Sequence, residues 1–107
     1  MTHASAEVHM NPLAHILAHK VVAIVRGAAP NNLLRIVQAL YAGRVRTMEI
    51  TLNSPDALAS IEEISRKMEG QMLVGAGTVL DSETARAALL AGAGFTISPT
   101  FNKKPSA

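Results

Sequence analysis

GRVRTMEITLNSP, residues 43–55, is the stretch on which the fold turns. From Val45 to Leu52 it reads as a strand, in which successive side chains point to opposite faces. Thr47, Glu49 and Thr51 then share one face and Met48, Ile50 and Leu52 the other. The apolar set calls for a helix layer above it, which leaves a glutamate and two threonines on the opposite side. Asn53 stands at the strand end, and Ser54-Pro55 opens a helix, since proline suits the first helical turn.

The same alternation repeats on both sides. VVAIV, residues 21–25, is a short β-branched run closed by Arg26-Gly27, after which Leu33, Leu34, Val37, Leu40 and Tyr41 give Ala28 to Ala42 a helical period. Beyond Pro55, Leu58, Ile61, Ile64 and Met68 form a second helical stripe. Met72 to Ala76 is a third strand running into Gly75-Ala76-Gly77. Asp81 or Ser82 then caps a helix through about Leu90, and Gly94 to Ile97 is a fourth short strand before Ser98-Pro99. Strand starts near residues 21, 46, 72 and 94 lie 25, 26 and 22 residues apart, room for a strand, a loop and a helix. Such spacing demands parallel strands with right-handed crossovers. The fold class is α/β, three βα units followed by a fourth strand, and the spacing alone fits half a barrel and a small open sheet equally well.

Outside this repeat, residues 1–10 read as a polar, flexible leader, and Asn11 to His19 as a short helix with Asn11 as cap and Pro12 in the first turn. One domain is expected over residues 11–102, with residues 103–107 as a tail. The 107 residues, 49% of them hydrophobic, suffice for a single core but are less than half of what an eight-stranded barrel needs, roughly 250. Four barrel strands by themselves leave two open edges, so a half-barrel is expected to be marginal, oligomeric or incomplete.

Composition narrows the chemistry further. The formal charge is +2 and no run of basic residues occurs, Lys103-Lys104 being the densest, so nucleic acid is not an expected partner. The absence of cysteine excludes disulfides, cysteine nucleophiles and thiolate metal sites within these residues. Val21 to Val25 is far shorter than the roughly 20 apolar residues of a membrane span. The first ten residues lack a basic segment and an apolar segment, which argues against a signal peptide. The expectation is a soluble cytoplasmic protein with no membrane partner.

Chemistry-bearing residues gather at the C-terminal ends of the strands, where parallel α/β proteins build their sites. Glu49 is a candidate acid or base, with an edge-strand carboxylate or an ion pair to Arg26 as the plainer reading. Arg26 can bind a carboxylate or phosphate with its planar fork, or neutralise Glu49. Asn53 is a candidate hydrogen-bonding group or the cap of the following helix. Gly75-Ala76-Gly77-Thr78 lets backbone approach a small anion and adds a hydroxyl, although the turn alone could require these glycines. No Gly-Lys-Ser/Thr follows and no GxGxxG is present, so neither a P-loop nor a dinucleotide fingerprint is formed. Ser98-Pro99 adds a polar group and a rigid turn to the same rim. His15 and His19 are four apart without a third ligand and read as solvent-facing, His3 and His9 carry no site, and no metal or cofactor is assigned.

VVAIVRG (21–27), GRVRTMEITLNSP (43–55), VGAGTVLD (74–81) and GAGFTISPTFN (92–102), in that order and spacing, resemble the first half of the 2-keto-3-deoxy-6-phosphogluconate and 4-hydroxy-2-oxoglutarate aldolase family, which includes phosphogalactonate-type members. The resemblance runs from about Leu13 to Asn102. It implies part of an eight-stranded α/β (TIM) barrel, about four of its parallel strands with intervening helices, in a family that usually forms trimers. It also implies aldol cleavage of a 2-keto acid to pyruvate plus an aldehyde through a lysine Schiff base, without metal. On the matching positions Glu49 is the general acid/base, Thr78 helps hold the pyruvate carboxylate, and Arg26 and Pro99 line the pocket. Asn53 stands where many phosphogluconate-type members carry an arginine, and LNSP looks like the phosphogalactonate branch. Arg44 stands where a small residue, commonly glycine, often precedes the strand.

The family's imine-forming lysine lies on a later strand, beyond the equivalent of residue 107, and Lys103 and Lys104 do not match it. The resemblance therefore implies an aldolase heritage, with little activity from these residues alone unless a complementing half-barrel supplies the lysine. Two other classes stand beside it. One is a non-catalytic fragment that associates through its exposed half-core, and the other a small-anion-binding module using Arg26, Thr78 and the Gly-Ala-Gly turn.

Overall fold

The computed structural model describes residues 21–99. In chain order they form β1 (Ala23–Val25), α1 (Pro30–Ala42), β2 (Thr47–Thr51), α2 (Ala57–Lys67), β3 (Leu73–Gly77) and α3 (Ser82–Ala91). The leader, the helix expected at residues 11–19, the four histidines, Lys103 and Lys104 lie outside the described residues.

The three strands form one parallel sheet in the order β1-β2-β3, with Ile24 opposite Glu49 and Glu49 opposite Gly75 in register. Sequential order puts successive helices on the same side. Val25, Met48, Ile50, Val74 and Ala76 accordingly share one apolar cluster with Leu33 and Val37 of α1, Ile61 and Ile64 of α2 and Ala88 of α3. Of the two architectures open at the level of spacing, this one-sided, singly wound arrangement is consistent with a partial barrel. The other sheet face carries Ile24, Thr47, Glu49, Thr51, Leu73, Gly75 and Gly77.

Local chemistry sets the helix ends. Pro30 occupies the first turn of α1, where its missing N–H costs no hydrogen bond. Beyond the C-terminus of α1, Arg44 has φ +74°, a left-handed conformation that explains why a small residue or glycine suits this position. Arg46 then folds back, its guanidinium 3.8 Å from the Tyr41 ring centre and its Nη1 donating to the Tyr41 carbonyl at 2.9 Å. In α3, Asp81 accepts the Thr84 N–H at 2.7 Å, the expected cap, and Gly92 ends the helix at φ +115°.

Two expectations are corrected. The helix after β2 begins at Ala57 with Asp56 as its N-cap, not beside Ser54-Pro55. Its buried stripe therefore runs through Ala57, Ile61, Ile64 and Met68, and Leu58, rotated off that stripe, is 41% exposed. The fourth strand expected at Gly94 to Ile97 is a single parallel bridge, Ala76 to Thr96. Phe95 and Ile97 each exchange one backbone hydrogen bond with Ala76, and Gly94 donates to Val74. The described residues supply nothing to pair with the outer side of this segment, and Pro99 has no N–H to extend it. Among the described residues no helix is long and apolar enough to cross a membrane.

Candidate functional site

Parallel strands all end on one rim, so topology alone gathers the residues that follow β1, β2, β3 and the Thr96 bridge. Arg26, Asn53, Thr78 and Pro99 each stand at one of these exits, and Glu49 lies within β2 just below them.

Glu49 is 6% exposed and points to the sheet face opposite α1, α2 and α3. Its carboxylate leans across β3: a Cβ added at Gly77 would collide with Glu49 Oε1. Gly77 is thus the space the carboxylate occupies. Gly75, directly opposite Glu49 in register, has no room for a side chain either, because the Phe95 ring lies over it. Gly75 and Gly77 lie within β3 and not in a turn, so the expectation that a turn requires them is corrected: each leaves space for a side chain from a neighbouring segment.

Burial drives the Glu49 pKa upward, and the positive charge of Arg26 opposes the rise without cancelling it. No direct ion pair forms between the two, so the plainer reading of Glu49 as Arg26's salt-bridge partner is corrected. Arg26 is exposed at the rim and acts on Glu49 through its field. A carboxyl group so placed can hold a proton at higher pH than a free glutamate and return it.

Thr78 has φ +58°, in the left-handed region that β-branched residues avoid. Asn53 is exposed and does not cap α2, whose N-cap position falls three residues later at Asp56. Pro99 is exposed at the last described position.

Two residues of the rim were missed at the sequence level. Ser54 is buried: the Gly27 N–H donates to its Oγ at 2.8 Å, and that oxygen lies 2.8 Å from Thr51 Oγ1. Thr51 Oγ1 in turn makes a long 3.5 Å contact as donor to the Val25 carbonyl. Their only signal in the sequence is a pair of hydroxyls three residues apart at a strand end, which many turns share. Among the described residues no group of three His, Cys, Asp or Glu side chains could hold a metal ion.

With the geometry in place, similarity to known proteins becomes specific. A family model described as KDPG and KHG aldolase matches residues 14–106. The chain is 35% identical over 85 residues to a 2-dehydro-3-deoxy-phosphogluconate aldolase of Treponema pallidum, covering 79% of this chain and 40% of that protein. It is 33% identical over 84 residues to the 2-dehydro-3-deoxy-6-phosphogalactonate aldolase of Escherichia coli, covering 78% and 41%. Its fold matches a KDPG aldolase from Legionella pneumophila, solved with pyruvate captured as a covalent carbinolamine, at a TM-score of 0.70 and 27% identity over 94% of this chain and 44% of that one. The chain spans about 40% of the length of these relatives. Similarity over nearly the whole of its own length, through every strand of the sheet, places this chain in the KDPG and KHG aldolase family.

Proposed function

We propose that these residues furnish the acid/base half of a class I aldolase site that cleaves a 2-keto-3-deoxy sugar acid phosphate, or 4-hydroxy-2-oxoglutarate, to pyruvate and an aldehyde. The observation that carries this is Glu49: a buried carboxyl with a raised pKa, standing over a glycine gap just below the rim of a parallel sheet. The other party is a lysine on a later barrel strand, which condenses with the 2-keto group and loses water to give a protonated imine. The imine draws the bonding electrons of the cleaved C–C bond toward its nitrogen, so the departing carbon leaves as a carbonyl while its hydroxyl gives up a proton. Glu49 takes that proton and afterwards returns one to the enamine carbon, releasing pyruvate once the imine hydrolyses.

Within this reading Thr78 donates to the pyruvate carboxylate, Arg26 and Pro99 line the pocket, and Asn53 favours a phosphogalactonate-like substrate over the phosphogluconate type. The four positions share the rim above Glu49, which supports the grouping. The complete site requires strands bearing the lysine, whether joined to these residues or brought by a complementing half-barrel, and association into a trimer as in the family fits the same picture.

Borohydride trapping with pyruvate, read by intact mass, tests it. These 107 residues alone are expected to give no adduct. Joined to the C-terminal part of a family relative, they should give one reduced pyruvate adduct on the supplied lysine, and Glu49→Gln should slow turnover of that joined protein about 10²- to 10⁴-fold. An adduct on the 107 residues alone, or full turnover by Glu49→Gln, would sink the proposal.

A further inference from the structure

Arg26 leaves β1, a strand of only three residues, and enters a loop with little to hold it. Its own side chain is exposed, Gly27 is exposed at φ +74°, and among the described residues none but its chain neighbours comes within 4 Å of where a Gly27 Cβ would stand. Packing against the core holds Val25 and Ala28, but not Arg26 and Gly27 between them. Two hydroxyls reach the backbone there: the Gly27 N–H, on one side of Arg26, donates to Ser54 Oγ at 2.8 Å, and the Val25 carbonyl, on the other side, faces Thr51 Oγ1 at 3.5 Å. The hydroxyls lie 2.8 Å apart, and both residues are buried, Thr51 fully. The donors and acceptors form one chain: Gly27 N–H to Ser54 Oγ, Ser54 O–H to Thr51 Oγ1, Thr51 O–H to the Val25 carbonyl.

We infer that Ser54 and Thr51 are positioning residues for Arg26: their hydroxyls clamp the backbone groups on either side of it and so hold its guanidinium at the rim next to Glu49. A backbone held at both flanks restricts where a flexible arginine can place its charge, and that charge is the one acting on Glu49 among the described residues. The β2 exit thereby controls both ends of the site, Glu49 from within its own strand and Arg26 from the neighbouring one. The value of this device to catalysis rests on the aldolase reading, but the clamp itself needs no substrate to be observed.

The test is the Glu49 titration, followed by carboxyl carbon NMR in the 107-residue chain labelled at glutamate. Arg26→Gln removes the opposing charge and should raise the Glu49 pKa. Ser54→Ala should raise it in the same direction by part of that amount, Thr51→Val by less, and Ser54→Thr, which keeps the hydroxyl, should titrate as the parent does. Because Ser54 acts through Arg26, the double variant Ser54→Ala/Arg26→Gln should titrate as Arg26→Gln alone. The inference is overturned if Ser54→Ala and Thr51→Val titrate as the parent does, or if the effect of Ser54→Ala adds to that of Arg26→Gln. Should Ser54→Ala fail to fold, the near-isosteric Thr51→Val carries the same comparison. Loss of the aldolase reading, by contrast, would appear in the pyruvate trapping and leave these titrations unchanged.

Discussion

Glu49 is a carboxyl that burial has moved off its ordinary value of 4.5, upward, with the charge of Arg26 pulling the other way. Between 4.5 and the raised value the folded chain binds more protons than the unfolded chain, so stability falls as pH rises through that window and stays lower above it. Glu49→Gln is therefore expected to melt at a higher temperature than the parent at pH 7, with the two curves converging below pH 4.5, as thermal unfolding at both values will show. A variant that gains stability while losing turnover is what the proposed acid/base role predicts. Gly77 is the other half of this arrangement. Gly77→Ala puts a methyl where Glu49 Oε1 stands and should destabilise by about 1–3 kcal/mol in chemical denaturation. Glu49→Ala introduced beside it should recover most of that loss, because the colliding atoms are then gone. Additive losses in the double variant would mean that the methyl meets something else.

Helix α3 and the turn before it show how local rules and site demands coexist within one element. Asp81 is a helix cap whose carboxyl is held below its ordinary 3.8 by the Thr84 N–H and the neighbouring hydroxyl. Its contribution is present above pH 3.8 and fades as pH falls through the lowered value. Asp81→Ala should accordingly lower the melting temperature at neutral pH and lower it less at strongly acid pH, which a pH series of melting curves will measure. Three residues earlier, Thr78 breaks a local rule by taking φ +58°. Holding a β-branched residue there costs on the order of 1–2 kcal/mol, so Thr78→Gly should stabilise the fold by up to that amount in denaturant titration. In the joined protein the same change should weaken pyruvate binding through loss of the hydroxyl.

At the largest scale, the described residues form a one-sided layer. Its helices cover one face of the sheet, while Ile24 on the other face is 59% exposed, and Leu80 before α3 and Leu90 near its end are 75% and 78% exposed. Apolar surface of this kind favours association. Light scattering on the 107-residue chain should show its mass rising with concentration, and Leu90→Lys should reduce that rise without moving the Glu49 titration. A strictly monomeric parent at all concentrations would count against it.

Much of this could be read from the chain because it depends on neighbours in sequence. The alternation through Thr47-Met-Glu-Ile-Thr51 sets which side chains share a face, Pro30 and Asp81 mark helix starts, and the 25-residue spacing demands parallel strands. Those signals put Arg26, Asn53, Thr78 and Pro99 after strand ends and Glu49 within a strand, as positions along the chain. Other features depend on residues far apart in the chain and carry no local mark. Gly77 is required by a carboxylate 28 residues earlier, and Gly75 by a ring 20 residues later. Ser54 reads as an ordinary turn residue until Gly27 is brought against it. The fourth strand shrank to a bridge because a strand is made by its partners as much as by its own β-propensity. Periodicity is a property of the chain and survives without its context; close approach, burial and the electric field at Glu49 exist only once the sheet has assembled.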